Sequence, residues 1–130
     1  MTKKELHELF WMKKNIKRME EKLIELEAKA AQITSKISKE PKEHDNTVDK
    51  LSETVAEIVD LQNEINDQLK KYYERVKYIE RSIEALPPRE ALLIRLRYLD
   101  QLRWEEICVE MHYSWRQIHY IHAEALKMLA

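Results

Sequence analysis

The chain of 130 residues contains no glycine at all. Turn-rich β sandwiches and barrels, phosphate-cradling loops and dinucleotide-binding turns all depend on glycine, so these classes are excluded at the outset. Proline occurs three times, as Pro41 and as the pair Pro87-Pro88, which leaves long stretches with nothing to break a helix. A lone Cys108 permits no internal disulfide, which suits the reducing cytoplasm where the protein is expected to work. Neither sign of charge dominates: 23 Lys and Arg against 24 Asp and Glu give a net charge of −1. That balance excludes a strongly basic protein that coats nucleic acid unselectively. No apolar run is longer than that of Ala91 to Ile94, which is too short for a membrane span or a signal-peptide core, and no membrane partner is expected.

What the chain does have is helical periodicity. From residue 9 to 37, one apolar string runs Leu9, Ile16, Leu23, Ala30, Ile37 and a second runs Met12, Met19, Leu26, Ile33. Spacings of three and four make this a heptad seam, and charges such as Lys13, Lys14, Lys17, Arg18 and Glu20 fill the other faces. The pattern stops at Ser38–Thr47, a stretch that holds Pro41 and no large apolar residue and therefore reads as a loop. It resumes at Val48, with Asn46 or Thr47 placed to cap the new helix. The second seam reads Val48, Leu51, Val55, Ile58, Gln62, Ile65, Leu69, Tyr72, Val76, Ile79, Ile83, Leu86.

Folding the chain back at the loop gives every seam residue of the first helix a seam partner on the second. Leu9 meets Val76, Met12 meets Tyr72, Ile16 meets Leu69, Leu26 meets Ile58 and Ala30 meets Val55. Such agreement over the whole length predicts an antiparallel pair. Gln62 either breaks the seam, as a polar position that fixes register, or lies at its edge with its amide in water. Two-helix hairpins are marginal alone, and Phe10, Trp11, Ile24, Leu61, Tyr73 and Tyr78 widen the apolar face. A homodimer formed through residues 1–86 is the expected assembly.

Residues 87–130 have a different organisation. Pro87-Pro88 ends one helix and starts another, whose buried stripe is read as Leu92, Leu93, Leu96 and Leu99. After a break at Asp100–Arg103, a short helix covers Trp104–Met111 with Ile107, Cys108 and Met111 on one face. His112-Tyr113 makes a turn, and Ser114 with Gln117 three residues on forms a capping box for a last helix. Ile118, Ile121, Ala125, Leu126 and Leu129 form its inner face. A small residue in mid-helix, a residue tolerant of positive φ four positions later and flanking apolar residues are the requirements of a helix-turn-helix. Cys108, His112 and Ile107, Met111, Tyr113, Ile118 and Ile121 meet them. The fold class is therefore all-α: a long antiparallel helical hairpin, then a three-helix helix-turn-helix domain.

Residues 86–129, LPPREALLIRLRYLDQLRWEEICVEMHYSWRQIHYIHAEALKML, resemble region 4 of the sigma-70 family. The likeness rests on the Leu-Pro opening, the Arg-Leu-Arg-Tyr helix, the Glu-Glu-Ile-small helix and the Ser-capped final helix. With the preceding hairpin, the chain resembles a family of phage and prophage proteins of Gram-positive bacteria related to autolysin-regulatory and late-operon activator proteins. Three departures stand out: Gln101 where that family often has Gly, Arg103 where Ser or Thr usually caps, and His112 where Gly is usual. The resemblance implies a phage-type transcription regulator that binds double-stranded DNA, or a module that docks on RNA polymerase. A phage packaging or scaffolding subunit is a further alternative.

If the last helix enters a major groove, helical spacing turns Arg116, Gln117, His119 and Tyr120 toward the bases. Arg116 suits a guanine edge, and Gln117 an adenine edge unless capping consumes it. Arg103, Ser114 and Trp115 would hold phosphates. The plainer alternative is that all of these are ordinary solvated residues, because residues 89–130 carry six Lys and Arg against six Asp and Glu. No enzyme is expected, since no nucleophile, base and orienter fall together and Glu105-Glu106 lie on an open helix. No metal or cofactor is expected either: His119 and His122, or Cys108 and His112, have ligand spacing but no completing set.

Overall fold

The computed structural model describes residues 1–39 and 44–130, and every regular element within them is helical. The elements are α1 (Lys3–Lys39), α2 (His44–Ile83), α3 (Pro88–Ile94), a π-helical turn (Arg95–Leu99), α4 (Trp104–Met111) and α5 (Trp115–Leu129). The two long helices pack against each other and the shorter helices follow, which is the all-α hairpin architecture expected. No helix among the described residues is long and apolar enough to cross a membrane. The chain divides into two compact units, one of Met1–Lys13 with Lys71–Ala130 and one of Lys14–Lys70.

In the Lys14–Lys70 unit the seam of α1 is as read: Ile16 and Leu26 are buried, and Met19, Leu23, Ala30, Ile33 and Ile37 are partly buried. On α2 the inward positions differ from the expected ones. Val48, Val55 and Gln62 are exposed, whereas Thr47, Thr54 and Leu61 lie further in. Thr54 is only 1% exposed, and its hydroxyl donates to the Lys50 carbonyl at 2.9 Å. With its hydroxyl satisfied on its own helix, a threonine offers only a methyl to the neighbouring helix and packs as an apolar residue. The inward series Thr47, Leu51, Thr54, Ile58, Leu61, Ile65 keeps strict alternation of four and three. Gln62 thus belongs to the solvated edge.

The start of α2 also differs. Asn46 and Thr47 lie inside the helix, which begins at His44, so neither caps it. With no proline or glycine between residues 42 and 86, nothing halts the helix at the first apolar position. Of the expected loop Ser38–Thr47, residues 40–43 lie outside the described residues, Ser38 and Lys39 end α1, and the remainder opens α2.

The other unit holds the main core: Leu6, Leu9, Ile79, Ile83, Leu86, Leu93, Ile94, Leu96, Tyr98, Ile107, Ile118, Ile121, Ala125 and Leu129. Both ends of the hairpin sequence therefore contribute to the core that closes the helix-turn-helix. Arg75 ties α2 to α1 here, donating to the Glu8 carboxylate at 3.2 Å and to the Glu5 carbonyl at 3.4 Å. Leu92, expected in the buried stripe, is 42% exposed. Glu90, Leu93 and Ile94 face inward, and helical spacing puts Leu92 opposite them. The π-helical turn then widens the coil, with the Asp100 N–H donating to the Arg95 carbonyl at 2.9 Å. Tyr98 is buried beyond it.

The α2 assignment is testable by paired substitutions read by urea unfolding. Thr54→Glu should cost about 2 kcal/mol or more, and Val55→Glu should stay within about 0.5 kcal/mol of the parent. The opposite order would restore Val55 to the seam.

Candidate nucleic-acid interface

The candidate interface begins with the turn between α4 and α5. The Tyr113 N–H donates to the Cys108 carbonyl at 3.2 Å and the His112 N–H to the Val109 carbonyl at 3.4 Å, a Schellman closure. It requires a left-handed residue, and His112 supplies it at φ 58°, ψ 40°. A side chain in that conformation costs about 1–2 kcal/mol that glycine would not. Ser114 then starts α5 with a reciprocal cap. Its Oγ accepts the Gln117 N–H at 3.2 Å, and Gln117 Oε1 accepts the Ser114 N–H at 3.0 Å. Turn and cap together set the direction in which α5 leaves α4.

One face of α5 is buried through Ile118, Ile121, His122, Ala125 and Leu129. Trp115, Arg116, Gln117 and Tyr120 are exposed at its start. Arg116, Gln117 and Tyr120 border a groove of about 320 Å³ together with Tyr113 and Arg89, the latter from the first turn of α3. Arg89 reaches the Glu90 carboxylate through Nη2 at 2.7 Å and Nε at 3.1 Å. Those bonds hold the Glu90 carboxyl below the usual range despite its burial. The guanidinium of Arg89 is correspondingly raised, first by Glu90 and then by its bond with Tyr113. Arg89 was not among the residues singled out from sequence, because the approach of α3 to α5 is a tertiary fact.

The expected base-contacting residues do not all stay together. Arg116 and Tyr120 share the groove. Gln117 lines it too, but its carbonyl oxygen is spent on the Ser114 cap, so the two-bond adenine contact does not fit this arrangement. His119 turns inward, its ring 4.6 Å from that of Trp104 and 4.5 Å from that of Trp115, and its Nε2 is buried. It packs between helices rather than facing outward. Of the expected phosphate-holding residues, Ser114 caps α5 and Trp115 is 52% exposed against His119. Arg103 lies at the start of α4, where Glu106 Oε1 accepts its Nε at 2.8 Å and its backbone N–H at 3.3 Å. Glu106 in this way covers part of the capping that Arg103 cannot supply as an acceptor.

Beneath the exposed edge lies a buried polar pair. The Tyr98 hydroxyl and His122 Nε2 share a hydrogen bond of 2.7 Å, with the rings stacked at 5.8 Å. Trp104 meets His122 edge-on at 4.8 Å, and the Arg97 guanidinium lies 4.5 Å from the Trp104 ring centre. Burial pushes the Tyr98 phenol up to about 12 and the His122 imidazole down to about 4, the latter aided by the charges of Lys3, His119 and Arg97. Both are therefore neutral at pH 7. His122 falls four residues after Ile118, a spacing that already marked the inner face.

Two outcomes follow. His112→Gly should raise stability by about 0.5–1 kcal/mol and His112→Val should lower it, as read by urea unfolding. For His122 the folded state resists the proton more than the unfolded one does. Its contribution is then complete above pH 6.5 and is lost as the pH falls toward about 4. His122→Phe should cost about 1–3 kcal/mol at pH 7.5, by stranding the Tyr98 hydroxyl, and flatten the stability profile between pH 6.5 and 4. An unchanged profile would remove His122 as its source.

Compared with protein-family models, curated proteins and solved structures, the chain finds no match.

Proposed function

We propose that this protein is a phage-type DNA-binding transcription regulator whose α5 enters the major groove with its first turns. The observation that carries the reading is the shared groove of Arg116 and Tyr120 on α5 with Arg89 on α3, beside a helix start fixed by a reciprocal cap. Arg116 reads a guanine edge and Tyr120 contacts the same groove wall. Arg89, Ser114, Trp115 and the first N–H groups of α5 hold phosphates. Two copies join through the hairpin, on which Ile24 is 66% and Val59 is 47% exposed. Paired recognition helices then read two half-sites. The sequence resemblance to sigma-70 region 4 supports the same assignment.

A second reading, docking on RNA polymerase, is favoured by the balanced charge of residues 89–130 and by Val109 and Met128, which are 75% and 50% exposed. Salt separates the two, because phosphate contacts release counterions and an apolar surface does not.

The test is selection of bound duplexes from a random pool, followed by titration of the enriched sequence. Arg116→Ala should lose about 1–3 kcal/mol of discrimination with helicity and sedimentation unchanged. Arg89→Ala should weaken all duplexes alike and flatten the plot of log K against log salt by about 0.9. Full retention of selective binding by Arg116→Ala would overturn the placement, and the absence of any enrichment at low salt would favour docking.

A further inference from the structure

The Lys14–Lys70 unit has two unlike sides. On α2 each inward residue is followed, one position later, by an exposed and uncharged one: Val48, Ser52, Val55, Val59, Gln62 and Asn66. One residue is a rotation of about 100° on a helix, so these six form a strip beside the seam. One position before the inward residues stand Asn46, Lys50, Glu53, Glu57, Asp60 and Glu64, five of them charged. α1 repeats the contrast from Ile24 onward. Its strip after the seam is Ile24, Glu27, Ala31, Thr34 and Ser38, all exposed and with a single charge. The Thr34 hydroxyl donates to the Ala30 carbonyl at 2.9 Å, so its methyl is what it offers a neighbour. Before the seam stand Lys22, Glu25, Lys29, Gln32 and Lys36. Right-handed helices that run in opposite directions bring both uncharged strips out on the same side of the pair. In a chain with 36% charged residues, a side with one charge over this length is a face that a partner covers. Two buried strips about 90–100° apart are what each helix of a four-helix bundle carries.

The charges of the two helices identify the occupant. Residues 14–39 carry seven Lys and Arg against four Asp and Glu, whereas residues 44–70 carry two against seven. A second copy turned about a twofold axis along the hairpin lays its α2 on α1 and its α1 on α2, so basic meets acidic twice. Rotation about an axis across the hairpin would set each helix on its own copy, like charge on like. In the first arrangement, with the seam register of Leu26 and Ile58, Ile24 stands level with Val59 of the partner subunit. Ala31 stands level with Val55 of the partner subunit, a small residue facing a larger one. The hairpin is thus complementary to itself. We infer that this uncharged side joins two copies of the chain into a four-helix bundle, α1 of each lying on α2 of the other. The inference rests on the hairpin dimer proposed above and adds the face and the pairing; it does not depend on the DNA reading.

Sedimentation of the full chain and cross-linking of single-cysteine variants test this. The parent should be a dimer at about 100 μM, and Val55→Glu a monomer of unchanged helicity. Val55→Glu spares the inward seam, so at about 0.1 μM, where the parent has dissociated too, both should unfold at the same urea concentration. Ile24→Cys and Val59→Cys, each in a Cys108→Ala background, are oxidised separately and as a mixture. The mixture should cross-link about tenfold faster than either alone, because only α1 on α2 brings these two positions within disulfide reach. A mixture no faster than its components, or a Val55→Glu protein that stays dimeric, would overturn this face and leave a hairpin dimer standing. A parent that is monomeric at about 100 μM would overturn both.

Discussion

The contact on which the candidate interface depends is the packing of Trp104 against two imidazoles of α5. Its ring meets His119 at 4.6 Å and His122 at 4.8 Å, while Arg97 covers its other neighbourhood at 4.5 Å. Aliphatic contacts alone would let a helix of this length roll, since methyl groups pack with little regard to angle. Flat rings and a 2.7 Å hydrogen bond between His122 and Tyr98 remove that freedom. With α5 fixed about its own axis, Arg116 and Tyr120 are left on the outside. The same packing explains why His119 cannot be a base reader: the ring that would face DNA is the one that anchors the helix.

A chain without glycine must still make left-handed turns, and it does so at Gln101 and His112. At His112 the strain is offset locally, through the two Schellman hydrogen bonds and the Ser114–Gln117 cap that follows. At Gln101 the return is local as well: the Leu102 N–H donates to the Leu96 carbonyl at 3.0 Å, so the left-handed residue closes the π-helical turn. The π-helical turn before it has a related effect. By adding a residue to the coil it turns Tyr98 toward the core while Arg97 lies over Trp104. Among the described residues, the π-helical turn and one of the two left-handed residues fall in the short stretch that connects α3 to α4.

Features governed by neighbours in sequence were legible before any coordinates. The limits of α4, the left-handed His112 and the Ser114 box are local, each fixed within a few residues by capping chemistry. The heptad seam of α1 was equally plain. The seam of α2 was harder, because counting apolar residues favours Val55 over Thr54, and only the hydroxyl bond to the Lys50 carbonyl shows why a threonine belongs inside. Leu92 was misplaced for a similar reason: four apolar residues in a row carry no phase of their own, and the buried Glu90 that sets the phase is polar. The contribution of Arg89 to the groove and the inward turn of His119 depend on helices meeting in space. No local pattern encodes them.

The central claim, that the start of α5 is a surface for DNA, is tested most directly by amide chemical-shift mapping with a random-sequence duplex at low salt. The account predicts the largest changes at residues 115–120 and at Arg89, with Ile118 and His122 moved less than Arg116 and Tyr120. Changes confined to residues 14–70, or none at all at the start of α5, would contradict it.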